Sequence, residues 1–224
     1  QSVIEYQGEK FALQVFGKHN LQNIEGARKV CNAIGVSDYD FYNSIKSFSG
    51  AGRRLELVRK DDKTIVYRDF AHSPSKLQAT VRSVKETYPA KHLIACMELH
   101  TFSSLKKDFL PEFKHSMAMA DTAIVFVNEE TVKQKGSEML TNEDIQANFD
   151  HPNLHYFTDR KALEDFLLKQ NRVDKVFLMM SSGNFGGMDL LQFSFRIFDE
   201  SREIESGEPG PTNNSNGDAQ TFTT

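Results

Sequence analysis

The run Asp69-Phe70-Ala71-His72-Ser73-Pro74 places a carboxylate and an imidazole in one short segment. A turn that serves structure alone more often carries Gly, Asn or Ser, so this pair reads as a ligand-binding turn. Three further segments carry polar groups in comparable positions: Glu98 with His100, Asn128 with Glu129, and Ser181-Ser182-Gly183-Asn184-Phe185-Gly186-Gly187. The glycines of the last segment would let backbone N–H groups approach an anion closely, and they would serve a tight turn equally well. Asn20 and Asn23 stand one helical turn apart, so both amides can face one ligand, and an amide suits the edge of a purine. Helix capping would account for Asn20 but not for Asn23. Arg53-Arg54 offers an always-charged planar fork for phosphate, or else a solvated strand end. His19, His72 and His100 lack the paired spacings and cysteine partners of a zinc site, so no metal ligands are assigned within the chain.

These residues fall between elements that the apolar pattern defines. Apolar runs at 65–67, 93–97, 122–127, 155–157 and 173–180 read as buried strands. Helical spacing occupies 74–88, 106–117, 142–149 and 160–170 between them. Ser73 as N-cap and Pro74 as first helical residue should start the first of these helices. Continuous apolar strands alternating with amphipathic helices imply a mainly parallel sheet covered on both faces. The four polar junctions then share its carboxyl edge, where open α/β sheets bind ligands. The alternating run at 191–197 is expected to add an antiparallel edge strand. Upstream, strands at 11–16 and 53–58 flank a helix over 21–33, closed by Gly35, and a second one begun by Ser37 and Asp40. The charged turn Lys60-Asp61-Asp62-Lys63 is the expected domain boundary.

Composition narrows the function. A net charge of −4 without any Lys/Arg block argues against a nucleic-acid surface. No apolar run approaches the roughly 20 residues a membrane span needs, and no signal peptide is visible. Two separated cysteines, Cys31 and Cys96, fit a reducing compartment, so a cytoplasmic protein is expected. The opening residues include no Met, which reads as a fragment of something longer.

Taken in order, five segments resemble the Mur ligase family, the ATP-dependent builders of peptidoglycan precursors. They are Gly17-x-His19-Asn20-x-x-Asn23, Phe48-x-Gly50-x-x-Arg53-Arg54-x-Glu56, Asp69-Phe70-Ala71-His72-x-Pro74, Glu98-Leu99-His100-Thr101-Phe102-Ser103 and Met180-Ser181-Ser182-Gly183-Asn184-Phe185-Gly186-Gly187. The resemblance implies an α/β fold: a Rossmann-like C-terminal domain at 62–201, preceded at 1–61 by the end of a central ATPase domain. Residues 202–224, nearly devoid of aliphatics, would be a disordered tail. It further implies ATP and Mg²⁺ as cofactors, with Asn20, Asn23, Arg54 and Asp69 at the nucleotide. His72, His100, Ser182 and Asn184 would serve the incoming peptide. The partners implied are UDP-N-acetylmuramate and a muropeptide or amino acid. Within the family, the branch that recycles L-Ala-γ-D-Glu-meso-diaminopimelate is the nearest match and the alanine-adding branch the next. A non-catalytic nucleotide- or muropeptide-binding module is the rival of a different class. No Gly-x-x-x-x-Gly-Lys-[Ser/Thr] phosphate loop occurs in the chain, so the fragment alone is expected to be inactive.

Overall fold

The computed structural model describes residues 2–170 and 173–199. The expected tail at 202–224 lies outside the described residues.

The chain opens with a hairpin of β1 (Val3–Tyr6) and β2 (Glu9–Ala12), paired antiparallel across Gln7-Gly8. Both turn residues have positive φ, 51° and 83°, as a tight primed turn requires. Helices α1 (Lys18–Ala33) and α2 (Asp38–Ile45) follow. α1 begins three residues before the expected start. Its N-cap is Gly17, at φ 89°. Ser37 caps α2 as the sequence implies, its Oγ accepting from the Asp40 N–H at 3.1 Å. Leu13, Val15, Ile24 and Phe41 form a small core for this unit.

A six-stranded sheet makes up the rest, with β3 (Glu56–Lys60), β4 (Thr64–Asp69), β5 (His92–Glu98), β6 (Thr122–Phe126), β7 (Leu154–Phe157) and β8 (Lys175–Met180). The spatial order is β3-β4-β8-β5-β6-β7, and every pair from β4 to β7 is parallel. The continuous apolar runs arise because helices cover both faces. Ile65, Tyr67, Leu93, Ala95 and Met97 point to one face, under Leu77, Val81 and Val84 of α3 (Pro74–Thr87) and Ile145 and Phe149 of α5 (Asn142–Phe149). Val66, Ile94, Cys96 and Phe177 point to the other, against Leu163 and Leu167 of α6 (Arg160–Leu168) and Phe193 and Ile197 of α7 (Leu190–Ile197). A short α4 (Glu129–Gln134) follows β6. No helix among the described residues is long and apolar enough to cross a membrane.

Three expectations are corrected. The antiparallel edge strand is β3, not 191–197, which is the helix α7. Leu190, Phe193, Ser194 and Ile197 repeat at three and four residues, and the Asp189 carboxylate caps the amides of Leu191 and Gln192 at 3.0 and 3.1 Å. The helix expected over 106–117 is a 3-10 segment, Lys107–Phe113, because Pro111 inside it removes an amide donor. Pro74 opens α3, yet the Ser73 side chain makes no capping hydrogen bond. The boundary expected after Asp61 falls in the turn between β3 and β4, which pair from Lys60↔Ile65 to Glu56↔Arg68.

Candidate functional site

The strand register levels the carboxyl edge. Asp69 and Met97 both stand beside Met180, and Glu98 beside Phe126. The chain passes from β4 to β5 over α3 and later returns β8 between them. Such a reversal opens a crevice outside the strand ends.

Asp69 stands at its centre. Its side chain is 8% exposed. Oδ2 accepts from the Leu55 N–H at 2.6 Å, and Oδ1 from the Ala71 N–H at 2.7 Å and the Thr80 hydroxyl at 3.4 Å. Burial pushes this carboxyl up, while the two backbone donors and His19 pull it down. The segment it holds is strained: Arg53 and Leu55 both sit in the left-handed region, at φ 57° and 48°. Glu56 steadies the same segment, accepting the Arg53 N–H at 2.7 Å and both arms of the Arg68 guanidinium at 2.8 Å. The Arg68 fork holds the Glu56 carboxyl below its ordinary range.

On one side of Asp69 lies a cleft of about 220 Å³, lined by His19, Asn20, Asn23, Arg54, Phe70, Lys76 and Thr80. All four residues read from the sequence as nucleotide contacts therefore meet around one space. Asn20 is arranged differently from the expectation. Its amide nitrogen donates to the Phe16 carbonyl at 2.8 Å, so its oxygen is the group left to the cleft. His19 is pushed down by burial, partly offset by Asp69. α1 reaches this position through Gly17, whose Cβ, if present, would lie 2.7 Å from the Ser83 hydroxyl on α3. Lys76 and Thr80 escaped the sequence reading. Their spacing of four after the Asp69 turn, on the first turns of α3, was the signal available.

On the other side is a smaller cleft of about 180 Å³ between Arg53, Arg68, Asp69, Ser181, Gly183, Asn184 and Asp189. Its floor is the glycine loop. Glu98, 1% exposed, receives the Ser181 hydroxyl and the Phe185 N–H on Oε2, the latter at 2.8 Å. Gly183 must be glycine, since a Cβ would stand 2.6 Å from His100 Nδ1 and 2.9 Å from Glu98 Oε2. Three buried atoms of this cluster have no hydrogen-bond partner: Glu98 Oε1, His100 Nδ1 and Ser182 Oγ. Unsatisfied buried polar atoms are costly, and a ligand or a small closure that supplies partners relieves them. In the sequence Glu98 stands two residues before His100, a spacing that assigns it no role.

His72 lines neither cleft. Its Nδ1 lies 2.8 Å from the Phe70 carbonyl, which can only accept, so Nδ1 is the donor. Beyond the glycine loop, Asn128, Glu129, Glu130, Thr158, Asp159 and Arg160 surround a polar recess of about 390 Å³ that reaches Gly186. Among the described residues no group of three His, Cys, Asp or Glu could hold a metal ion.

Comparison with known proteins places this edge in a family. A UDP-N-acetylmuramate–L-alanine ligase of Cutibacterium acnes is 29% identical over 180 residues, 78% of this chain and 37% of that protein. One of Cytophaga hutchinsonii is 32% identical over 113 residues, 50% of this chain and 24% of that protein. The chain thus spans well under half the length of these relatives. Among solved structures, UDP-N-acetylmuramate–alanine ligase MurC of Thermotoga maritima superposes with a TM-score of 0.64 at 18% identity, covering 89% of this chain and 41% of its own. A murein peptide ligase of Psychrobacter arcticus gives 0.56 at 20% identity, covering 84% and 39%. Both share the fold. The family model "Mur ligase, glutamate ligase domain" matches residues 53–183, from the strained segment at Arg53 to the glycine loop. The chain belongs to the Mur ligase family.

Proposed function

We propose that this chain is the carboxyl-terminal part of an ATP-dependent ligase that joins an amine to the lactoyl carboxylate of UDP-N-acetylmuramate. The observation that carries the reading is the meeting of Asn20, Asn23, Arg54 and Asp69 around one cleft, back to back with the glycine loop. The residues present suit part of a nucleotide. The amide of Asn23 and the free oxygen of Asn20 match a base edge, and Arg54 matches a phosphate. The carboxylate of Asp69 retains acceptor capacity for a ribose hydroxyl beyond its three internal donors. ATP, with Mg²⁺, supplies the phosphoryl group that converts the lactoyl carboxylate to an acyl phosphate. This chain's residues then hold the amine, orient it and exclude water, so positioning dominates. Ser182 and Asn184 would take the peptide's carboxylates with His100, which lies against Gly183 of the same loop, and His72, outside both clefts, would meet the peptide elsewhere. No phosphate loop occurs in the chain, so it would not ligate by itself.

For the amine we favour the recycled tripeptide L-Ala-γ-D-Glu-meso-diaminopimelate, because the recess beyond Gly186 offers room for the remainder of a peptide. The reading with L-alanine is favoured by the names of the curated relatives. A cytoplasmic location follows from either.

The test is a ligation assay on the complete protein that carries this chain, with UDP-N-acetylmuramate, ATP and Mg²⁺, alanine and the tripeptide being offered separately. Phosphate release with the tripeptide is expected. Release with alanine alone would select the second reading, and release with neither would overturn both. Arg54→Ala should raise the KM for ATP by roughly 10- to 100-fold, as loss of a charge-assisted contact does.

A further inference from the structure

The orphaned atoms at the glycine loop have a definite geometry. Glu98 Oε1 and His100 Nδ1 are 3.8 Å apart, and each is buried without another partner. The separation is about 1 Å longer than a charge-assisted hydrogen bond. The opposite oxygen of Glu98 is committed. Gly183 N–H donates to Ser181 Oγ at 2.7 Å, so the Ser181 hydroxyl proton is free to point to Glu98 Oε2, beside the Phe185 N–H. The carboxylate therefore cannot swing away from the imidazole. His100 itself is half-in: its side chain is 32% exposed while Nδ1 is buried. Nε2 of the same ring is not among the buried atoms that lack a partner.

We infer that Glu98 is a positioning residue that holds His100 in its Nδ1–H form, so that Nε2 offers its lone pair to the ammonium group of the incoming amine. This deepens the ligase reading and rests on it for its chemistry. An ammonium group cannot attack. It must first give a proton to Nε2, leaving an imidazolium that Glu98 stabilises. The freed nitrogen lone pair forms the C–N bond at the carbonyl carbon of the acyl phosphate. The C–O bond to phosphate breaks, its electron pair leaves on phosphate, and phosphate takes the second proton from nitrogen. Gly183 is part of the same device, because any side chain there would displace the ring from its carboxylate.

The decisive measurement is the tautomer of His100 in this 224-residue chain, read from two-bond ¹H–¹⁵N correlations of the ring. The Nδ1–H form is expected in the chain as it stands, and a predominant Nε2–H form overturns the proposal. Glu98→Gln should invert the tautomer. The amide oxygen must remain at the position that receives Ser181 and Phe185, which turns the NH₂ toward Nδ1 and makes Nδ1 an acceptor. An unchanged tautomer in a folded Glu98→Gln chain also overturns it. Should that variant fail to fold, the unsubstituted chain still decides. In the complete protein, Glu98→Gln should lower kcat by roughly 100-fold and leave the KM for ATP in place. A change in KM alone counts against the proposal. An absence of ligation by the unsubstituted protein would end the ligase reading and leave the tautomer result standing.

Discussion

On α1, sixteen residues long, Ile24 is the buried residue, whereas β6 is buried from end to end and β4, β5 and β8 nearly so. The sheet has filled cores on both faces, while the amino-terminal unit has the small cluster around Leu13, Val15, Ile24 and Phe41. Val30 and Ile34 of the α1 region are 65% and 76% exposed. The difference teaches where stability and where binding reside. The sheet carries its own apolar cores on both faces. The first unit leans on it through Phe16 against Tyr67 and Tyr88, Gly17 against Ser83, and Leu55 on Asp69. What α1 brings to the sheet is its polar face: His19, Asn20 and Asn23 at the cleft.

This contrast can be broken by substitution. Phe177→Ala, in the sheet, should cost about 3–5 kcal/mol in urea unfolding. Phe41→Ala, in the small cluster, should cost less than half as much and leave the sheet's transition in place; equal losses would erase the distinction. Gly17→Ala should come next, at about 1–3 kcal/mol from its forbidden φ and the Ser83 collision. Hydrogen exchange should then quicken in α1 and not in β5. The smallest effect concerns the strained segment held by Glu56. Because Arg68 lowers the Glu56 carboxyl in the folded state, their pairing stabilises above the ordinary glutamate value of 4.5 and is lost as pH falls through the lower folded value. Glu56→Gln should flatten that part of the acid limb of stability, followed by the urea midpoint against pH.

The alternation of strands and helices was legible because both sheet faces are covered, so apolar runs and helical spacing coincide with real elements. α5 occupies the residues its spacing indicated. α7 was misread because Leu191, Phe193, Phe195 and Ile197 mimic a strand's alternation, while Leu190 completes a helical stripe. Its exposed Phe195 is occupied by Arg59, 4.2 Å above the ring. The cleft residues on loops were legible by type. Lys76 and Thr80 were not, because on a helix a lysine and a threonine look like any solvated face until the sheet edge is placed beside them. The role of Glu98 was hidden for another reason. The carboxylate's one unpartnered oxygen is a property of the folded glycine loop, and sequence spacing carries no trace of it.

Of the residues that line the two clefts at the sheet's carboxyl edge, Asp69 is common to both. For a lineage, the proposed function would then make the two specificities separately heritable. If the proposed assignment holds, substitutions in the loop at 181–187 would try new amines without rewriting the nucleotide's contacts, and changes on α1 or α3 would do the reverse. A directed library aimed at a different amine can randomise around Ser182 and Asn184 while Asp69 and Gly183 stay fixed.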